Sequence, residues 1–156
     1  MLLRRLLAAG LVACLAGCAG RPTGPAAPGD GADLVTLINQ RRAEPSCPAV
    51  TADQRLADAA KRHAQDMLDH GVRDHTGSDG STAAQRIADT GFDASTNGEI
   101  LYWAQGTGAA RQAVDAWMDS PGHRTIISDC ELTKVGAAAL TAGGEFAAVA
   151  DFASGT

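Results

Sequence analysis

Apolar residues recur at helical spacing early in the chain. Leu34, Leu37, Ile38 and Arg41 fall at that spacing behind Asp33, a plausible N-cap, so the pattern predicts a helix that Pro45 and Pro48 terminate. A second, longer stripe is formed by Leu56, Ala60, His63, Ala64, Met67 and Leu68, opened by Asp53 as N-cap and closed by His70-Gly71. The stretch from Val72 to Ser81 has no periodicity and is rich in Gly, Ser and Asp, which predicts a loop. Thr82 and Gln85 then stand at capping-box spacing, predicting a short helix over Thr82–Thr90. A fourth helix is marked by the stripe Val114, Trp117 and Met118, and Ser120-Pro121 signals a further helix start that puts His123 in a first turn.

The apolar period changes elsewhere. Ile100–Tyr102 has strand character, and the runs Val135–Leu140 and Phe146–Phe152 flank Ala142-Gly143-Gly144, which predicts an antiparallel hairpin. Both runs are dense in Ala and Val, as expected of strands covered on two faces. Helices around a small antiparallel sheet make an α+β domain.

Ahead of residue 33 the composition is different. Arg4 and Arg5 precede an apolar run from Leu6 to Leu15, too short for a bilayer span of roughly 20 residues and so read as an export signal over 1–17. Leu15-Ala16-Gly17-Cys18 at its end resembles a bacterial lipobox, predicting lipidation of Cys18 and a flexible Gly/Pro/Ala tether over 18–32 that leads to a domain spanning 33–156. Cys14 departs with the leader and Cys18 carries the lipid, so parity in an oxidising compartment predicts a disulfide between Cys47 and Cys130.

Charge narrows the partners. Loss of Arg4 and Arg5 leaves 11 basic residues of the 13 against 18 acidic ones, with no basic stripe, which argues against nucleic acid and against adhesion to anionic headgroups. The cell membrane is then engaged through acyl chains alone, on the extracytoplasmic face.

Three separated stretches carry chemistry: Asp74-His75-Thr76-Gly77, Asn97-Gly98-Glu99-Ile100, and Trp117 to Arg124 with Ser120-Pro121-Gly122-His123-Arg124 at its end. Two histidines and one carboxylate are the minimum for acid/base work or for a divalent metal with an open position. With Asn39, Arg42, the run Arg62 to Met67, Arg86-Ile87 and Gly91-Phe92, these stretches resemble the bacterial branch of the CAP superfamily (cysteine-rich secretory protein, antigen 5, pathogenesis-related 1) from about Leu34 onward. The resemblance implies a three-layer α-β-α sandwich in which His75, Glu99 and His123 face one cleft.

Two departures matter. The family's Gly-Glu-Asn is here Gly98-Glu99-Ile100, and its second glutamate falls on Ser120, beside Asp119. A serine cannot act as a carboxylate base, and there is no Gly-x-Ser-x-Gly elbow or His-Glu-x-x-His helix to supply a hydrolase. The leading expectation is therefore a lipid-anchored envelope binding module for a small ligand, lipid or peptide, with no established catalytic turnover. The alternative is a metal-assisted hydrolase of envelope peptide or glycan, with Zn²⁺ on His75 and His123 and Glu99 as third ligand or base. His63 is read as a hydrogen-bonded core residue, His70 as a helix-end residue and Trp117 as core.

Overall fold

The second helical stripe forms as its periodicity demands. In the computed structural model, which describes residues 29–156, helix α2 (Gln54–His70) is capped by the Asp53 carboxylate, which accepts the Arg55 N–H at 2.9 Å, and it closes at Gly71. The leader and Cys18 lie outside the described residues, as does most of the tether. Helix α1 runs Gly29–Ala43, β1 Thr51–Ala52, α3 Ala83–Asp89, β2 Ala94–Gln105, α4 Ala110–Asp119, α5 Pro121–Ile127, β3 Lys134–Ala142 and β4 Glu145–Gly155. Among the described residues no helix is long and apolar enough to cross a membrane.

The sheet has the order β1-β3-β4-β2, with β1 parallel to β3 and the other pairs antiparallel. Strand β4 lies in the interior of the sheet, and alternation along it feeds two cores. Phe146, Ala148, Ala150 and Phe152 meet Leu34, Ile38, Val114, Trp117 and Ile127 of α1, α4 and α5. Ala147 and Val149 meet Ala60, Ala64 and Met67 of α2, and Ala153 meets Leu56, Ile87 and Phe92 beside α3. The result is the expected α-β-α sandwich, with β4 buried on both faces.

Two close backbone approaches set the helix positions. Gly136 of β3 lies so near α2 that a Cβ there would fall 1.9 Å from the Ala57 nitrogen, so the helix rests directly on the strand. A Cβ on Gly31 would likewise come within 2.5 Å of the Ala137 carbonyl oxygen. This explains why α1 begins at Gly29, four residues before the predicted Asp33 cap: the first turn docks through its backbone, a contact that hydrophobic patterning does not register.

Other expectations hold with adjusted limits. The Thr82–Gln85 capping box is present around α3. Strand β2 extends far beyond Ile100–Tyr102, because eleven of its twelve residues pair against β4 whatever their own polarity, with Ser95 passed over by a bulge. Ser120 does occupy the α5 cap position, although its side chain makes no capping hydrogen bond. Cys47 and Cys130 form the predicted disulfide, with Cα atoms 5.0 Å apart. Beside it the buried Arg42 guanidinium donates to the carbonyls of Pro48, Ile127, Asp129 and Leu132, fixing the turn that carries Cys130.

Candidate functional site

Glu99 sits on the face of β2 that looks toward α2 and α3, since its neighbour Ile100 belongs to the α1/α4/α5 core and Leu101 to the α2 core. Its side chain is 2% exposed, and both oxygens are engaged. Oε1 accepts from His75 Nδ1 at 2.8 Å and Oε2 from Arg86 Nη2 at 2.6 Å. Burial by itself raises the carboxyl pKa, but the hydrogen bonds from His75 and Arg86 outweigh it and leave Glu99 below its ordinary value. An ionised carboxylate only accepts, so the His75 hydrogen is on Nδ1 and its Nε2 is left free to face outward chemistry.

Arg86 holds this arrangement together. Its side chain is 1% exposed, and besides Glu99 it donates to the carbonyls of His75 and Ser81 at 3.0 and 2.7 Å. One guanidinium therefore ties helix α3, the 72–81 loop and strand β2. The loop is further pinned by the Asp66 carboxylate, which accepts the Ser78 N–H at 2.8 Å as well as bonds from the Ser78 hydroxyl and His70 Nδ1.

His75 and His123 are pushed in opposite directions. The Glu99 hydrogen bond raises His75 despite partial burial, and its side chain stays 57% exposed. Burial lowers His123, and the neighbouring His75 charge lowers it further. Its place in the first turn of α5, at the positive end of that helix, disfavours imidazolium in the same sense. Helix α5 is seated on β2 where Ile126 meets Gly98, one residue from Glu99. His75 and Glu99 are thus brought into contact from a loop and a strand, and His123, on helix α5, is near enough for the His75 charge to act on it.

Zinc fits this set poorly. Among the described residues no three His, Cys, Asp or Glu side chains converge as a metal-holding group, and the carboxylate that would complete the set is committed to His75 and Arg86. Asp119 is exposed.

His63 is the buried core histidine anticipated, with Nε2 at 2.9 Å from the Asp74 carbonyl and its pKa lowered by burial. It also approaches Glu99 Oε1 to 4.0 Å. With Arg86 it forms the inner wall of a groove of about 290 Å³ whose outer wall includes Arg62, Asp66, His70 and Asp79. Trp117 is core, its indole N–H donating to the Leu101 carbonyl at 2.9 Å. Sequence reasoning assigned no role to Arg86 or to Asp151, the residue paired with Glu99 across β2 and β4. The available signal was a single acid inside the otherwise apolar run Phe146–Phe152.

Comparison with known proteins agrees with this architecture. The sequence family described as CAP, cysteine-rich secretory protein family, matches residues 35–152. Protein YkwD of Bacillus subtilis (strain 168) is 28% identical over 110 residues, covering 70% of this chain and 42% of the relative, so the chain spans well under half of that protein's length. An outer surface protein from Borrelia burgdorferi superposes with a TM-score of 0.69 at 26% identity, over 80% of this chain and 92% of that one. An extracellular protein containing a SCP domain from Bacillus anthracis gives a TM-score of 0.69 at 23% identity, over 84% and 45% of the two chains.

Proposed function

The chain belongs to the cysteine-rich secretory protein (CAP) family, and on that premise we propose that it is an exported binding module whose cleft recognises the polar end of a small ligand, lipid or peptide. The observation that carries this reading is the withdrawal of Glu99. A carboxylate buried to 2% exposure with both oxygens occupied neither attacks nor exchanges protons with a substrate; it orients His75. What the cleft offers outward is two imidazoles of opposite tendency. His75, with its raised pKa, supplies a donor and positive charge as pH falls, while His123 stays neutral and accepts. That pair complements a carboxylate or hydroxyl head group.

Export is supported by the leader and by the disulfide, which suits an oxidising compartment. Anchorage is read from Leu15-Ala16-Gly17-Cys18 and the small-residue tether behind it. Intact-mass analysis of the membrane fraction should show a diacylglyceryl increment on Cys18, and a soluble product beginning at Ala19 would rule it out.

The test of the cleft uses imidazole NMR spectra. Titration with decanoate and with an acidic tripeptide should shift the His75 and His123 resonances saturably for at least one of the two, and the backbone-amide shifts that accompany them at Glu99 and in the 72–81 loop should vanish in His75→Ala, His123→Ala. Release of peptide or sugar fragments from cell-wall material, dependent on the same histidines, would instead establish a hydrolase.

A further inference from the structure

Asp151 is wholly buried one residue past the midpoint of β4, and no hydrogen-bond donor reaches either of its carboxylate oxygens among the described residues. It is directly opposite Glu99 on one side and Gly136 on the other in the strand register. Alternation puts its side chain on the α2 face with Val149 and Ala153. There the absent side chain of Gly136 lets the α2 backbone close over the strand at Leu56 and Ala57.

The groups facing it are few. Strand β2 presents Glu99, α3 presents Arg86, α2 brings His63 near Glu99, and β3 contributes only Gly136. Arg86 spends its Nη atoms on Glu99, His75 and Ser81, and its buried Nε, itself without a partner among the described residues, makes no hydrogen bond to Asp151. Two ionised carboxylates would thus share one arginine in the interior, a costly arrangement. Directly paired residues on adjacent strands hold their Cβ atoms about 4.5–5.5 Å apart, within reach of a carboxyl-to-carboxylate hydrogen bond. Glu99 has the capacity: two of its roughly four lone-pair sites are taken by His75 and Arg86. An acceptor cannot bond to an acceptor, so the contact is made only if one acid keeps its proton, and Glu99, facing two donors, is not that one.

We propose that Asp151 is a positioning residue held as the neutral acid, donating its O–H to Glu99 as the third donor that fixes the carboxylate and, through it, the Nδ1–H form of His75. Burial first and the Glu99 charge second raise its pKa well above that of an ordinary aspartate, in the same sense. The assignment shares the geometry of Glu99 with the binding reading but requires no ligand, so either can fail alone.

The experiment follows carboxyl and imidazole resonances in ¹³C,¹⁵N-labelled full-length domain from pH 5 to pH 8, for the wild type, Asp151→Asn and Asp151→Leu. The wild-type Asp151 Cγ should hold the protonated-carboxyl shift through neutral pH. Asp151→Asn, whose amide donates the same bond, should leave the His75 titration in place. Asp151→Leu keeps the shape but removes the donor, so Glu99 becomes more basic and the His75 midpoint should rise by about 0.5 pH unit, roughly a threefold gain in proton affinity. A Cγ already ionised at pH 5 would overturn the proposal, as would a His75 midpoint that falls in Asp151→Asn or stays fixed in Asp151→Leu. Should the leucine variant not fold, the wild-type Cγ shift decides by itself.

Discussion

Replacing Glu99 with glutamine keeps the side-chain shape and removes one charge. The two partners of Glu99 both donate, Arg86 Nη2 at 2.6 Å and His75 Nδ1 at 2.8 Å. A glutamine amide has only one oxygen, so one partner is left facing an NH₂ group. With Arg86 1% exposed, the variant leaves a buried cation without its counter-charge, and breaking such a pair costs about 3–5 kcal/mol. Against a total stability of about 5–15 kcal/mol that is a large share. The three carbonyl and hydroxyl contacts that Arg86 keeps, to His75 and Ser81, put the expectation at the lower end. Urea denaturation at pH 7 measures the loss, and ¹⁵N imidazole shifts read the tautomer of His75, which should move its hydrogen toward Nε2 while its pKa falls back. A loss under about 1 kcal/mol with the Nδ1–H tautomer intact would refute the view that Glu99 is a buried counter-ion and orienting group.

Other outcomes follow from the same structure. Because the His75 pKa is raised, its contact with Glu99 contributes stability that is fully present below the unfolded imidazole value near ~6.5 and is lost as pH rises through the folded value. His75→Ala should therefore cost more stability at pH 5.5 than at pH 8 in parallel urea melts. Removing the Cys47–Cys130 bridge, with its sequence separation of 83, should lower stability by about 4–5 kcal/mol in the chain-entropy account, with the ligand-induced shifts of His75 unchanged in the folded fraction. Calorimetric zinc titration of the wild type and of His75→Ala, His123→Ala should give equal, weak isotherms, since no third donor completes the set among the described residues.

Much of the fold was legible because its signals are local. The Asp53 cap, the Thr82–Gln85 box and the Gly143-Gly144 turn are each fixed by a few neighbouring residues. The density of Ala and Val in the last two strands announced burial on both faces, and the burial is there. What was missed depends on partners distant in sequence. The early start of α1 rests on a backbone contact between Gly31 and β3, and the length of β2 rests on β4. His75, Glu99 and His123 were found through their motif context, and the structure places His75 against Glu99 and seats α5 beside them. The polar groups behind them, Arg86 and Asp151, gain meaning only from the pairing of β2 with β4 and the packing of α3, which no spacing rule encodes.

The loop that carries His75 is fastened almost entirely by polar contacts: Arg86 to two of its carbonyls, Asp66 to Ser78, and Glu99 to the imidazole itself. The helices behind it are held by apolar burial. These fasteners respond to different agents, so the loop and the sandwich are separate units of local stability. Because Glu99 has a depressed pKa, its contribution is lost as pH falls through the folded value, when the carboxylate no longer offers Arg86 a charge. Acid should then release residues 72–81 to rapid amide exchange while α2 and β4 remain protected, so that the His75–Glu99–Arg86 cluster disassembles, reversibly, around a scaffold that is still folded.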